Sequence, residues 1–560
     1  MGVGRAKPLS RMGVSFPPTA MPYTVPASVG GMNTLDSLMS MPPQDCIYAY
    51  NLMPAERGMK LRKGYREWAN NLGSEEIRTI LPYQSQNGDG TKNRLFAVTK
   101  DGIFNITIRQ AHPTGIPNQT AEIAFGTQTD PAGYGVKCEF TNDASDHFMF
   151  YADAVNGIHQ YTESTNAWTA VVGGTGAGQW QYDNAGTPTA FLVADVAFVM
   201  VFKQRIWVVL EDSDDAWYLP VASIAGVLTK FTFGAKLPHG GDLMGLWNWT
   251  VDGGAGVDDM LIAVSRGGDV AVYQGGDPSL SDFGAIGEWF IGTIPNSRRI
   301  VAAYGAEMYI LSTYGVTSLM DLLQGTPSSN VRSSISAKIN EDLRIDILAD
   351  VASSEWSINI HPADGFLQIV APKQTNRNYV QYNQNLNTKA WGLWELVPTI
   401  SADTWDGGYY MGTTGGQALQ YTGVSDGGLI DGTAGVDVEY RILTSFQAPG
   451  DHSSFKRVGF IRTIAISSPI ASFSAVAVYD YDESAALAQS TVQSVDNGAL
   501  WDTSGVWDTS LWGSTVNKAY DFSKGSLGMG RTFAIGMRGH SNARIEVVGW
   551  DVTMTTGGFL

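Results

Sequence analysis

Between about residue 75 and residue 425 one arrangement of apolar and polar positions recurs. A short apolar run meets a glycine-bearing turn, and a second apolar run follows and ends on an aromatic. Arg94-Leu95-Phe96-Ala97-Val98 leads through Asp101-Gly102 to Ile103-Phe104-Asn105-Ile106, and Phe148-Met149-Phe150-Tyr151 leads through Asn156-Gly157 to Ile158-His159-Gln160-Tyr161. Met260-Leu261-Ile262-Ala263-Val264 leads through Gly267-Gly268 to Val270-Ala271-Val272-Tyr273. Met308-Tyr309-Ile310-Leu311 leads through Tyr314-Gly315 to Val316, and Tyr409-Tyr410-Met411 leads through Gly415-Gly416 to Ala418-Leu419-Gln420-Tyr421. Two weaker copies lie at Ile206-Trp207-Val208-Val209-Leu210 and Phe366-Leu367-Gln368-Ile369-Val370.

Asp-Gly, Asn-Gly and Gly-Gly favour two-residue hairpin loops, because these residues accept the positive φ angles that match strand twist. The copies therefore predict hairpins, with turns roughly 40 to 60 residues apart, near the blade length of propeller repeats. Seven copies predict a β-propeller of six to eight blades; the competing reading is a run of unrelated hairpins in a large sandwich. After residue 426 the pattern changes to longer alternating strands at 436–442, 458–466, 473–481, 531–537 and 545–554, which suit an antiparallel sandwich. Residues 1–74 differ again. Pro8, Pro17, Pro18, Pro22 and Pro26 forbid helix and predict an extended arm that gains order on another surface. The expected organisation is all-β: an N-terminal arm and docking segment (1–74), the propeller (75–425) and a C-terminal β-sandwich platform (426–560). Because a propeller begins and ends near one place, the first and last segments are expected on the same side of it.

Composition agrees with that class. With 44% hydrophobic and 16% charged residues the chain can bury a large core, and 64 glycines supply the turns that many short strands need. The two cysteines, Cys46 and Cys138, are too few for a disulfide framework, although one bridge between them is possible. No secretory leader is visible in the proline-rich start. The longest apolar run, 190–202, is well short of the ~20 residues of a membrane-spanning helix and reads as two buried strands. The net charge of −18 opposes gripping nucleic acid through the overall field, yet suits a wall past which DNA slides.

Candidate chemistry is sparse. The seven histidines are scattered, with no His-Glu-x-x-His spacing, and no nucleophile elbow or phosphate-cradling loop occurs. Glu211-Asp212-Ser213-Asp214-Asp215 is the densest acidic cluster; it lacks the glycine and distal Glu of an EF-hand and reads as a solvated turn. Ser401-Ala402-Asp403-Thr404-Trp405 partly matches a sialidase Asp-box, but Thr404 stands where glycine is required. Trp501, Trp507 and Trp512 lie in a Trp-Asp-Thr-Ser repeat and are read as packing or interface aromatics, with sugar stacking as the alternative. Arg57, Lys60, Arg62, Lys63 and Arg66 form the one basic island of an acidic chain. They are candidates for docking an acidic partner, against a solvated basic turn or, third, DNA contact.

The island ends a longer block: Gly30-Gly31-Met32-Asn33-Thr34-Leu35-Asp36-Ser37-Leu38, Met41-Pro42-Pro43-Gln44-Asp45, Asn51, Pro54, and Gly58 through Lys63-Gly64-Tyr65. This block, the Trp-Asp run and the ending Glu546-Val547-Val548-Gly549-Trp550-Asp551-Val552 resemble the tail nozzle, tail hub or DNA-stabilisation proteins of short-tailed bacteriophages. Cys46 replaces the group's alanine, and Leu52-Met53 replace its aromatic before Pro54. The resemblance implies a non-enzymatic virion protein made in the host bacterial cytoplasm. It implies a homo-hexameric ring on the portal and adaptor, with tail fibres or a needle as further partners. Genomic DNA would pass without sequence-specific binding, and neither cofactor, metal nor membrane insertion is expected. A receptor- or glycan-binding tail protein and a propeller glycosidase are the alternatives.

Overall fold

The computed structural model describes residues 20–73, 76–86, 90–109, 119–126, 131–252, 257–323, 334–372, 379–428, 435–468, 472–484, 487, 518–525 and 528–557. Among them seven antiparallel sheets follow one another along the chain and close into a β-propeller. Each of the seven hairpin copies falls in a different sheet. Blade 1 is built from Thr79–Tyr83, Arg94–Val98, Gly102–Asn105 and Ile123–Ala124, and blade 2 from Val136–Thr141, His147–Asp153, Gly157–Thr162 and Ala167–Ala170. Blade 3 (Val196–Phe202 to Gly226–Thr232) annexes a further hairpin, Trp180–Asn184 and Thr187–Ala190, whose first strand pairs in parallel with its outer edge. Blade 4 runs from Leu243–Asp252 to Gly284–Phe290. Blade 5 has three strands, Val301–Tyr304, Glu307–Ser312 and Gly315–Ser318, followed by the helices Leu319–Leu323 and Asn340–Ala349. Blade 6 spans Ser357–His361 to Trp391–Trp394.

Blade 7 takes three strands from the end of the repeat region, Thr399–Trp405, Gly408–Thr413 and Ala418–Tyr421. Its fourth and outermost strand is Tyr65–Ala69, which pairs Tyr65 with Tyr421 and Ala69 with Ala418. The start of the chain thus closes the ring with hydrogen bonds that no consecutive strand supplies.

Packing explains why the second run of a copy ends on an aromatic. Tyr161 of blade 2 sits 5.2 Å from Phe96 of blade 1, Tyr273 of blade 4 sits 5.7 Å from Phe231 of blade 3, and Tyr421 of blade 7 sits 4.8 Å from Trp394 of blade 6. Each aromatic reaches back onto the preceding sheet, filling the wedge between twisted blades with offset and edge-on ring contacts. The last gap is sealed the same way: Trp405 and Tyr410 of blade 7 share a buried cluster with Ile80 and Leu95 of blade 1.

The first strand of every blade faces the axis. Ile80, Val136, Val199, Trp247, Val301, Asn359 and Asp403, one from each, line a central cavity of about 320 Å³. That is the size of a small-molecule pocket. Arg299 bridges it, donating from the start of blade 5 to the carbonyl of Arg78 ahead of blade 1 at 2.8 Å and to those of Ser354 and Glu355 at 3.2 Å. The propeller is plugged.

The remaining strands form the sandwich. Ser472–Tyr479, Phe533–Ser541, Val436–Thr444 and Asp45–Tyr50 lie side by side in one sheet. Lys518–Gly525, Lys456–Ser468 and Arg544–Thr556 make the other, with Met21–Pro26 and Met59–Leu61 both pairing with Arg544–Thr556. Val458, Ile461, Val547 and Val552 of the second sheet share one core with Tyr440, Ile442, Ile535 and Met537 of the first, continuous with that of blades 4 to 6. The N-terminal segment and the sandwich therefore sit together, woven strand by strand.

Two sequence expectations change. The apolar run 190–202 holds one buried strand, Val196–Phe202, entered through a 3-10 turn at Val193–Asp195 whose Asp195 carbonyl accepts from the Glu211 amide, while Ala190 ends the exposed strand Thr187–Ala190. Cys46 and Cys138 are free thiols, one in the sandwich and the other in blade 2. Among the described residues no helix is long and apolar enough to cross a membrane.

Candidate docking site at the propeller–sandwich joint

The N-terminal block turns out to be the joint between the two bodies. Asn51 takes a positive φ of 61° between two sandwich strands and spends its whole side chain there. Its Nδ2 donates to the Glu439 carbonyl of the sandwich at 2.7 Å, while its Oδ1 accepts from the Glu395 amide after blade 6 at 2.9 Å and from Arg62 Nε at 2.8 Å. The Arg62 guanidinium then forks onto Asp426, Nη1 to Oδ1 at 2.8 Å and Nη2 to Oδ2 at 2.6 Å. With side chains only 1% and 10% exposed, this is a buried, bidentate charge pair. Gly64 follows because nothing larger fits: a Cβ there would lie 1.9 Å from the Ser425 carbonyl oxygen. Upstream, Asn33 donates to Asp36 at 2.9 Å and to Asp45 at 2.7 Å, and Asp45 also receives Lys338 Nζ at 2.7 Å from the segment behind blade 5. Gly30 and Gly31 leave room for the Asp45 carboxylate and the Trp391 backbone.

The basic island divides accordingly. Arg57, Lys60, Arg62 and Lys63 line one cavity of about 630 Å³, open at the seam between the sandwich and blades 6 and 7. Arg66 lies outside that lining and donates to Gln420 Oε1 within the closing strand pair. Of the four, Arg62 is consumed by Asp426. Lys63 is held by Asp364 at 2.6 and 2.7 Å and lies 5.8 Å from the Tyr421 ring. His361 and Lys63 bond the Asp364 carboxylate and hold it well below the usual range, at about 2. Arg57 makes one long contact, 3.5 Å, to Glu546 and is 75% exposed. Lys60 is exposed, and among the described residues its ammonium has no hydrogen-bond or ion-pair partner. Phe366, Trp394 and Tyr421 wall the cavity, and the buried Trp394 indole N–H has no acceptor among the described residues.

Asp364, Trp394, Tyr421 and Asp426 were not visible as members of this site, because they come from strand ends and turns about 300 or more positions away from the island. Trp501, Trp507 and Trp512 lie outside the described residues. The acidic cluster is dispersed: Glu211 accepts from Arg298 at 2.6 Å and Asp215 pairs with Lys230 at 2.5 Å. Among the described residues no group of three or more His, Cys, Asp or Glu is placed to hold a metal ion. Asp403 of the imperfect Asp-box faces the central cavity, where burial pushes its carboxyl up.

No protein-family model matches the chain, and no curated protein matches it. Solved structures align with it at low identity. They include the computationally designed Ika8 protein (7% identity, TM-score 0.33, 64% of this chain and 99% of that one) and U3-55K (9%, 0.34, 64% and 98%). The RRP9 WD40 repeats align at 10% identity with a TM-score of 0.34, over 65% of this chain and 99% of that one.

Proposed function

We propose that this chain is a structural virion protein of a short-tailed bacteriophage. Six copies form a ring on the portal and adaptor that extends the DNA channel, retains the genome and lets it leave. The observation that carries this reading is the N-terminal block. The residues that resemble tail nozzle and hub proteins are the ones that lock sandwich to propeller, so the resemblance falls on residues with a defined architectural task. The plugged propeller axis supports a conduit formed between subunits rather than through one. Six chains bring 6 × −18 = −108 formal charges, a field that keeps phosphate backbones from adhering to the wall. Electron microscopy of the purified oligomer tests the proposal. A six-fold ring with an open lumen poor in Lys and Arg is expected; a lumen lined mainly by those cations, or a trimeric spike, would overturn it.

A further inference from the structure

We infer that the cavity between sandwich and blades 6 and 7 is a receptor for an acidic peptide segment of a neighbouring protein chain, with Lys60 and Arg57 as the recognising cations. This deepens the docking part of the ring proposal and rests on it only for the partner's setting.

The cations at this seam are unequally spent. Arg62 and Lys63 are neutralised by Asp426 and Asp364, so their role is to build the floor and one wall. Among the described residues Lys60 has no anionic partner, and the 3.5 Å contact of the 75% exposed Arg57 with Glu546 is of the weak, exchangeable kind. Both sit on one sandwich hairpin, Arg57 in its turn and Lys60 on its second strand, and both line the same concave site. Phe366, Trp394 and Tyr421 supply apolar ring surface to the same lining, against which the aliphatic part of a bound side chain can pack. Asn387, exposed at the rim, can serve a peptide backbone.

A carboxylate-bearing peptide fits better than nucleic acid. Two unspent cations suffice for one or two carboxylates but are too few to hold the unbroken run of phosphates of a nucleic acid against a net charge of −18. A single acidic stretch needs only two such contacts, flanked by the aromatic walls. Charge complementarity has a ready source, since assemblies of an acidic chain present acidic surfaces to one another.

The test uses the full-length protein and fluorescence anisotropy with a labelled Glu-rich peptide, its Gln-for-Glu analogue and a DNA oligonucleotide. The Glu peptide is expected to bind, the Gln analogue to bind about tenfold more weakly, and the DNA not to compete. Lys60→Glu combined with Arg57→Glu should weaken the Glu peptide at least about tenfold, whereas Arg344→Glu, exposed on the helix Asn340–Ala349 and outside the lining, should leave it unchanged. Unaltered melting temperatures will show that the exposed-site variants fold. Equal binding of both peptides, displacement by DNA, no binding at all, or indifference to the Lys60 and Arg57 changes would overturn the inference. Subunit number measured on the same samples separates the readings: a six-fold ring without peptide binding removes this site and leaves the ring.

Discussion

Arg62 and Asp426, 364 positions apart in the chain, form a two-pronged pair with the guanidinium nearly sealed from solvent. Breaking one member of such a pair strands a charge in a low-dielectric joint and costs about 3–5 kcal/mol. Arg62→Ala is therefore expected to lower the denaturant midpoint by that equivalent. Arg57→Ala, on the same basic island but exposed, should change stability by under about 0.5 kcal/mol. Equal effects would show that the island is one solvated patch.

Asp364 links stability to pH. His361 and Lys63 hold its carboxyl at about 2 in the folded protein, below its ordinary 3.8. A depressed folded value means that the contribution is fully present above the ordinary value and is lost as pH falls from there towards about 2. Urea midpoints measured down that range should fall less steeply for Asp364→Asn than for the native protein. Identical slopes would contradict the pairing.

Gly64 tests the joint sterically. Its Cβ would collide with Ser425 backbone, so Gly64→Ala should cost about 3 kcal/mol, whereas Gly284→Ala, with open space around it, should be nearly neutral by thermal melting.

Much of the propeller was legible because five of the copies carry their own glycine turn and three of those, ending on Tyr161, Tyr273 and Tyr421, also carry a wedge aromatic. Asn156-Gly157 marks a turn that glycine closes at φ 70°, and Tyr161 marks where the next strand meets its neighbour. The extra hairpin at Trp180–Ala190 was not legible, since Thr187, Pro188 and Thr189 give no apolar alternation. Nor was the closing strand. Tyr65–Ala69 reads as the end of a basic stretch, and its pairing with Ala418–Tyr421 is a long-range contact that local pattern does not encode. The site failed to appear for the same reason: Arg62 is legible as a charge, but its partner Asp426 is chosen by topology.

The wedge aromatics make a separate claim about stability. Tyr161 packs 5.2 Å from Phe96 and 5.6 Å from Trp168, buried between blades 1 and 2. Tyr161→Ala should destabilise by about 3–5 kcal/mol in chemical denaturation, as for large aromatic truncations. A loss under about 1 kcal/mol would mean that the blades are held by backbone pairing alone.

Mass photometry of the purified full-length protein bears most directly on the ring. A dominant species at about six times 60.3 kDa is predicted. A monomer that does not assemble at any concentration, or a stable trimer, would contradict it.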